Sequence, residues 1–246
     1  MNIPKPELFF TGVQADEYRL LKLLCPAAET ASRKVAAFVA EWAPPGPTAS
    51  LNLLEIGSGT GVTSFHLLQS RDDFDMVGID NAPRMLSQAR ENLAWALAAG
   101  RLHLEEIDAL GYLRQLPDAS VDIIATAYTV HNFERNYRAL VLAEIFRVLK
   151  PGGIFVNGDR YSLDDEAEHL RLIQAEARDY FRILLEMNRP DVLEQWILHL
   201  FSDESRDHVM PLTPALRAME SIGFAAVTVH DREGVNALVT GSKPWR

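Results

Sequence analysis

The stretch that most constrains the fold of this chain runs from residue 53 to residue 61 and reads LLEIGSGTG. A short apolar run leads here into a turn with a glycine at every second position, and a helical pattern follows. Small residues let the backbone approach a ligand closely, and a helix N-terminus offers backbone N–H groups that have no partner within the helix. The stretch therefore predicts a ligand site at the carboxyl end of a strand in a parallel sheet.

Strand and helix patterns alternate on either side of this turn, which predicts a parallel α/β sheet with right-handed crossovers. Strands are predicted at residues 51–56, 74–79, 102–107, 121–127 and 154–157, and helices at 62–69, 82–99 and 136–149. A mostly helical stretch follows at 164–200, then a helix at 214–222. Two strands at 225–230 and 235–240 suit a hairpin because turn residues lie between them.

The run Pro-Pro-Gly-Pro at residues 44–47 divides a helical N-terminal region from the alternating pattern. We expect residues 1–50 to form a helical lid that carries Phe9, Phe10 and Tyr18. Residues 51–246 are expected to form the ligand-binding domain, with a helical insertion at about 164–213.

Charge and composition exclude several classes of protein. The net charge of -10 disfavours DNA or RNA as a partner, and no apolar run approaches the ~18 residues that span a bilayer. A single cysteine, Cys25, allows neither an intrachain disulfide nor a thiolate zinc site. Acids at 164–168 indicate a helix N-terminus, so no metal site is predicted. We expect a soluble, cytoplasmic protein.

An acidic residue, Asp80, ends the second predicted strand. An acid at this position can accept hydrogen bonds from both hydroxyls of a ribose. Asp80 can also cap the helix that begins near Ala82, and the two roles are compatible. A dinucleotide fingerprint would need a third glycine where Val62 stands, which argues against a nicotinamide dehydrogenase.

The glycine turn, Asp80, Asp108 and the segment LKPGG at 149–153 together resemble class I methyltransferases that use S-adenosylmethionine (SAM), over roughly residues 50–160. The resemblance implies a Rossmann-like, mostly parallel seven-stranded sheet with helices on both faces, and SAM as cofactor. The resemblance also implies which residues bind SAM. Gly57, Ser58, Gly59 and Gly61 would contact its amino-acid and ribose parts, Asp80 the ribose hydroxyls, and Asp108 the adenine amino group. Asn81, Met85, Ala109 and Leu110 would lie beside the adenine ring, Glu55 would hold the loop or the cofactor ammonium, and Tyr18 would contribute from the lid.

The segment AYTVHNF at 127–133 resembles the part of this family that faces the transferred group. His131 is a candidate general base, since its ordinary pKa lies near neutrality, or else a structural residue. Tyr128 and Phe133 could stabilise the sulfonium through a cation–π contact, or belong to the core. From the helical insertion, Tyr180 and Arg189 are candidate substrate residues. Most other side chains there fit a core or a homodimer interface, so a homodimer is left open.

Transfer of the SAM methyl group to a small molecule is the first functional hypothesis. The alternative is other SAM chemistry: the run DNAPRM at 80–85, the helical insertion and the C-terminal hairpin resemble the carboxy-SAM synthase branch. In that branch an arginine binds the new carboxylate, and Arg189 or Arg206 could serve. Cyclisation or elimination of SAM belongs to the same alternative. A non-catalytic SAM-binding module is a third hypothesis. Methylation of nucleic acid is disfavoured by charge and by the lack of an Asn/Asp-Pro-Pro-aromatic motif.

Overall fold

One seven-stranded sheet organises the chain in the computed structural model, which describes residues 23–44, 46 and 50–245. Its strands are β1 (Leu51–Ile56), β2 (Phe74–Asp80), β3 (Leu102–Glu106), β4 (Val121–Ala127), β5 (Leu149–Arg160), β6 (Ala225–Glu233) and β7 (Asn236–Ser242). The strand order is β3-β2-β1-β4-β5-β7-β6. Neighbours among β1 to β5 pair in parallel, and β7 runs antiparallel to β5 and β6. The predicted α/β fold is confirmed.

Helices precede, connect and follow the strands. They are α1 (Pro26–Glu41), α2 (Val62–Ser70), α3 (Pro83–Asn92), α4 (Ala94–Ala98), α5 (Ala109–Leu113), α6 (Arg135–Val148), α7 (Glu166–Glu186), α8 (Pro190–Asp203) and α9 (Leu212–Ile222), with a 3₁₀ helix at Val130–Asn132. Within the described residues, none of these helices is both long and apolar enough to cross a membrane.

Both faces of the sheet are buried, as the near-continuous apolar strands require. Successive side chains of a strand point to opposite faces, so Leu54 and Ile56 join the core that includes residues of α5, α6 and α9. Leu53 joins the core on the other face, with residues of α1 and α2. A smaller third cluster holds α7 and α8 together around Leu184 and Leu200. The sheet is therefore a rigid platform whose strand ends can position a site.

Three differences from the prediction have a clear physical reason. The helix expected at 82–99 is interrupted at Leu93, which leaves helical geometry and is fully buried. Helix α5 was not predicted, because five residues are too few to show a helical period. Strand β5 begins at Leu149 rather than at residue 154, since Leu149 already pairs with Val121 of β4.

About half of the predicted lid falls outside the described residues. Phe9, Phe10 and Tyr18 lie there, and α1 belongs to the described part of the helical region predicted at 1–50. Helices α7 and α8 lie within the span predicted as an insertion between β5 and α9. The division into a lid and a core domain stays a prediction.

Candidate functional site

A cavity of about 670 Å³ lies at the carboxyl ends of the parallel strands. β1 and β4 are neighbours here, and the strand order reverses between them, which is where ligands bind in open α/β sheets. The cavity is lined by the turns after β1, β2, β3 and β4 and by one end of α1: Cys25, Ala28, Glu29, Ser32, Ile56, Gly57, Ser58, Gly59, Thr60, Val62, Thr63, Ile79, Asp80, Asn81, Ala82, Met85, Ile107, Asp108, Ala109, Ala127, Tyr128, Thr129, Asn132, Phe133 and Tyr137.

The turn after β1 depends on two glycines with positive φ, Gly57 (78°) and Gly59 (53°). A Cβ on Gly57 would lie 2.2 Å from Oγ1 of Thr129, so the turns after β1 and β4 can approach this closely only without a side chain. A Cβ on Gly59 would meet no atom within 4 Å. The backbone of Gly59 is thus open toward the cavity.

The Asp80 carboxylate holds the same turn from the end of β2. Its Oδ2 accepts a hydrogen bond from Gly59 N at 2.8 Å, and its Oδ1 accepts one from Ala82 N at 2.8 Å. Both expectations for Asp80 are compatible with this geometry: it supports the start of α3 and it lines the cavity. A carboxylate oxygen can accept more than one hydrogen bond, so each oxygen retains a lone pair for a ligand hydroxyl.

Asp108 caps α5 and also lines the cavity. Its Oδ1 accepts from Gly111 N and from the hydroxyl of Tyr137, both at 2.9 Å. These donors, Gly111 first, hold the pKa of Asp108 below its ordinary value, so the side chain is an anion at neutral pH. Tyr137 also accepts from Leu110 N at 3.0 Å. Sequence reasoning missed Tyr137, which follows a polar turn and gives no local signal.

Three residues that were expected to bind the cofactor do not line the cavity. Glu55 is fully buried beneath the turn, where the Ser64 hydroxyl donates to its carboxylate and burial raises its pKa to about 7. Gly61 is the N-cap of α2, and Leu110 packs into the core beside α5. Direct contact with a ligand in this cavity is therefore corrected to support of the turn for Gly61 and to core packing for Leu110. For Glu55, holding the loop was one of two expected roles, and its position beneath the turn favours that role over contact with the cofactor ammonium.

Tyr128 stands between this cavity and a second one of about 610 Å³, and lines both. Its φ of 53° is unusual for a residue with a side chain, and such strain is concentrated at functional sites. Its hydroxyl donates to Oδ1 of Asn236. Burial raises the pKa of Tyr128, so the side chain is neutral and cannot act as a base near pH 7.

His131 lies behind Tyr128, with the two ring centroids 5.5 Å apart, and does not line the cavity. Its Nδ1 is 2.5 Å from Oδ1 of Asp159, and Oδ2 of Asp159 accepts from the backbone N of Val130 and of His131. Of the two roles left open for His131, this pairing with the buried Asp159 of β5 favours the structural one over that of a general base.

The remaining candidates divide between the two cavities. Asn81, Met85, Ala109 and Phe133 line the first, and Phe133 stacks edge-on against Tyr137 with centroids 5.1 Å apart. Tyr180 lines the second, where its hydroxyl donates to Glu176 at 2.6 Å. Arg189 lies on neither, because its guanidinium pairs with Asp191 at the start of α8. Tyr18 is outside the described residues.

Comparison with known proteins bears on this geometry. A family model described as a methyltransferase domain matches residues 53–153. A demethylmenaquinone methyltransferase from Leptospira interrogans is 33% identical over 109 residues, which are 44% of this chain and 43% of that protein. The chain thus spans less than half the length of this relative. A carboxy-S-adenosyl-L-methionine synthase from Shewanella sediminis is 22% identical over 163 residues, which are 60% of this chain and 65% of that protein.

Solved structures support the fold. An O-methyltransferase family protein from Burkholderia thailandensis superposes with a TM-score of 0.63 at 16% identity, covering 100% of this chain and 64% of that protein. Residues 53–153 therefore match a methyltransferase domain, and the resemblance of the chain to class I SAM-dependent methyltransferases is confirmed.

Proposed function

We propose that this protein is a SAM-dependent methyltransferase that transfers the methyl group of SAM to a small-molecule acceptor. One observation carries the proposal: a glycine turn with open backbone and the two carboxylates of Asp80 and Asp108 converge on one cavity at the switch point of the sheet. The matches to methyltransferases over this same region support it.

The residues around the cavity fit the chemistry of SAM. Asp80 would accept from the ribose hydroxyls, and Asp108 from the adenine amino group, with Ala109 beside the ring. The backbone from Gly57 to Gly59 leaves room for the amino-acid portion. Acidic lining also suits a cofactor that carries a sulfonium cation.

When bound, SAM supplies a methyl group on a good leaving group, so the protein has mainly to align the acceptor and exclude water. The aromatic rings of Tyr128 and Phe133 lie on the cavity wall, where a ring face would stabilise a cation. Neither cavity-lining tyrosine, Tyr128 or Tyr137, is ionised at neutral pH, because burial raises the pKa of both. Neither of these two tyrosines can therefore take a proton from the acceptor at neutral pH.

The acceptor would enter from the second cavity, which shares Cys25 and Tyr128 with the first. The relatives whose names describe methylation of demethylmenaquinone favour a small organic acceptor over a macromolecule.

Calorimetry with SAM tests the cofactor assignment. Asp80→Ala should weaken SAM binding at least about 100-fold, because two ribose hydrogen bonds to a charged acceptor are lost. Asp72→Ala, which removes an exposed carboxylate elsewhere, is the matched control. If the Asp80 variant and the wild type bound SAM with equal affinity, and circular dichroism showed both to be folded, the assignment of this cavity as the SAM site would be wrong.

A second candidate is carboxy-SAM formation, which the match to a carboxy-SAM synthase favours. Its carboxylate would need an arginine, and neither Arg189 nor Arg206 lines the first cavity. Mass spectrometry of small molecules released by denaturing the purified protein separates the two candidates. Release of S-adenosylhomocysteine or SAM would agree with methyl transfer. Release of carboxy-SAM would make carboxy-SAM formation the preferred function.

We further propose a cytoplasmic location, which the single cysteine and the absence of any possible intrachain disulfide support.

Whether the protein is a homodimer is decided by light scattering on the purified chain. Exposed apolar side chains on α7 and α8, among them Phe181 and Phe201, are where we expect such an interface.

A further inference from the structure

Two histidines and a carboxylate come together where α8 meets the 3₁₀ helix after β4. His199 and Asp203 are four residues apart on α8 and so share one face of it, and His131 belongs to the 3₁₀ helix. One potential ligand atom of each residue lies within 4.8 Å of those of the other two. Nε2 of His199 is 3.7 Å from Oδ2 of Asp203.

The ring of His131 is already oriented for such a role. An ionised carboxylate only accepts hydrogen bonds, so Nδ1 of His131 carries the proton that it shares with Asp159 at 2.5 Å. This leaves the lone pair on Nε2. Histidines that bind metals are oriented in the same way, by a carboxylate on the nitrogen opposite the metal.

The Asp203 carboxylate is held only by long ion-pair contacts. Its side chain is 9% exposed, and Oδ2 lies 3.7 Å from Nε2 of His199. The nearest guanidinium nitrogen is Nε of Arg160, at 3.8 Å, while the two terminal nitrogens of Arg160 are bound by Glu176 at 2.9 and 3.0 Å. At these distances neither cation occupies the lone pairs of the Asp203 carboxylate fully, so the oxygens can still accept a metal ion.

We propose that Nε2 of His131, Nε2 of His199 and the Asp203 carboxylate bind a divalent transition-metal ion of the zinc type. Two imidazoles and one carboxylate are a common ligand set for zinc and its neighbours in the first transition row. Tetrahedral zinc needs ligand atoms roughly 3.3 Å apart, so small side-chain movements close the site. His199 is 55% exposed, which leaves the fourth position open to water.

Such an ion would join α8 to the turn that continues into Asn132 and Phe133, both on the cavity wall. Its expected role is structural, since His131 faces away from the cavity. The site would connect the helical region after β5 to the methyltransferase domain.

The test is a titration of chelator-treated, full-length protein with Zn²⁺ alone, followed by calorimetry near pH 7. We expect one equivalent to bind and to raise the melting temperature. His199→Ala removes an exposed ligand and should fold normally, yet it should bind Zn²⁺ at least about 100-fold more weakly, since even outer-shell changes cost 10- to 100-fold. Asp203→Asn should do the same. His103→Ala, which removes an exposed histidine on β3, is the matched control and should bind as the wild type does.

Cobalt provides a second readout that depends on coordination alone. Co²⁺ at the site should give visible absorption bands that His199→Ala abolishes. Binding that is equal in His199→Ala and the wild type, or far below one equivalent, would overturn the proposal and leave His199 and Asp203 as an ion pair. The result is independent of the cofactor assignment, because Asp80→Ala should bind Zn²⁺ normally.

Discussion

The residue with the most unusual environment is Glu55, a carboxyl buried completely beneath the glycine turn. Its Oε1 has no hydrogen-bond partner among the described residues, and Ser64 is the donor to its other oxygen. Burial is the main reason that its pKa rises from 4.5 to about 7. The residue therefore destabilises the fold when it ionises, and a ligand cation close to the turn would relieve this.

This shift predicts how stability depends on pH. Below pH 4.5 the carboxyl is protonated in both states and costs nothing. As the pH rises from about 4.5 to about 7 the unfolded state ionises first, so the folded state loses stability, and above about 7 the loss is constant. Glu55→Gln removes this effect. It should stabilise the protein by on the order of 3 kcal/mol at pH 8 and by almost nothing near pH 4.5.

Urea unfolding of the Glu55→Gln variant and the wild type at pH 5 and at pH 8 measures the difference. Glu91→Gln, a substitution at an exposed position of α3, is the control. It should change the free energy of unfolding only slightly, and by the same amount at pH 5 and at pH 8. A stability difference between Glu55→Gln and the wild type that does not change with pH would show that Glu55 is not perturbed by burial.

At the scale of elements, the glycine turn and the turn after β4 constrain each other. A methyl group at position 57 would overlap Thr129, whereas one at position 59 would enter open space. Both alanines would have positive φ, which costs roughly 1–2 kcal/mol.

Gly57→Ala should therefore lose about 1–3 kcal/mol more stability than Gly59→Ala, because overpacking adds to the backbone strain. Both should weaken SAM binding, the second because its methyl group points into open cavity space. Thermal unfolding and SAM calorimetry compare the two variants directly. Equal melting temperatures for Gly57→Ala and Gly59→Ala would mean that the turns after β1 and β4 move apart more easily than their close contact indicates.

The turn after β4 is also held from β5, by Asp159. Its carboxylate is buried and accepts from the backbone N of Val130 at 2.8 Å and of Arg160 at 2.9 Å, besides pairing with His131. In Asp159→Asn one oxygen becomes a donor and faces donors, so we expect a loss of about 2–4 kcal/mol. SAM binding should weaken too, because this turn carries Asn132 and Phe133 to the cavity.

Asp231→Asn, on exposed β6, is the control for this change, since it weakens only a surface pair with Lys34. Denaturant unfolding of both variants gives the comparison. If Asp159→Asn were as stable as the control, the hydrogen bonds of Asp159 would not determine the position of the turn.

Local signals made the strands and part of the cavity wall predictable. The glycine turn follows β1 directly and Asp80 ends β2, so these two strands position them by sequence adjacency alone. The position of His131 could not be predicted, because it depends on Asp159, 28 residues further along the chain. The break at Leu93 is equally non-local: its side chain packs against Gly61, and Asn92 donates to Thr60 O at 2.9 Å. Periodicity does not record such contacts.

For the whole molecule, charge is the property that most limits its partners. The chain has 34 acidic and 24 basic residues, and many of the basic side chains form ion pairs, such as Arg160 with Glu176 and Arg147 with Asp118. Nucleic-acid binding needs free cations that replace the counterions of the phosphates. The same excess of acid favours the approach of a cationic cofactor to a cavity lined by Asp80 and Asp108.

We therefore expect no measurable binding of duplex DNA or transfer RNA, with any dissociation constant weaker than about 10⁻⁴ M at physiological salt. Fluorescence anisotropy with labelled nucleic acids at two salt concentrations checks this, and SAM calorimetry on the same preparation shows that the protein is competent. Tight binding that weakens steeply with salt would reveal a local basic surface that the net charge conceals. In that case the proposed acceptor would change from a small molecule to a nucleic acid, which the basic surface would bind through its phosphates. The proposed SAM site would stay the same.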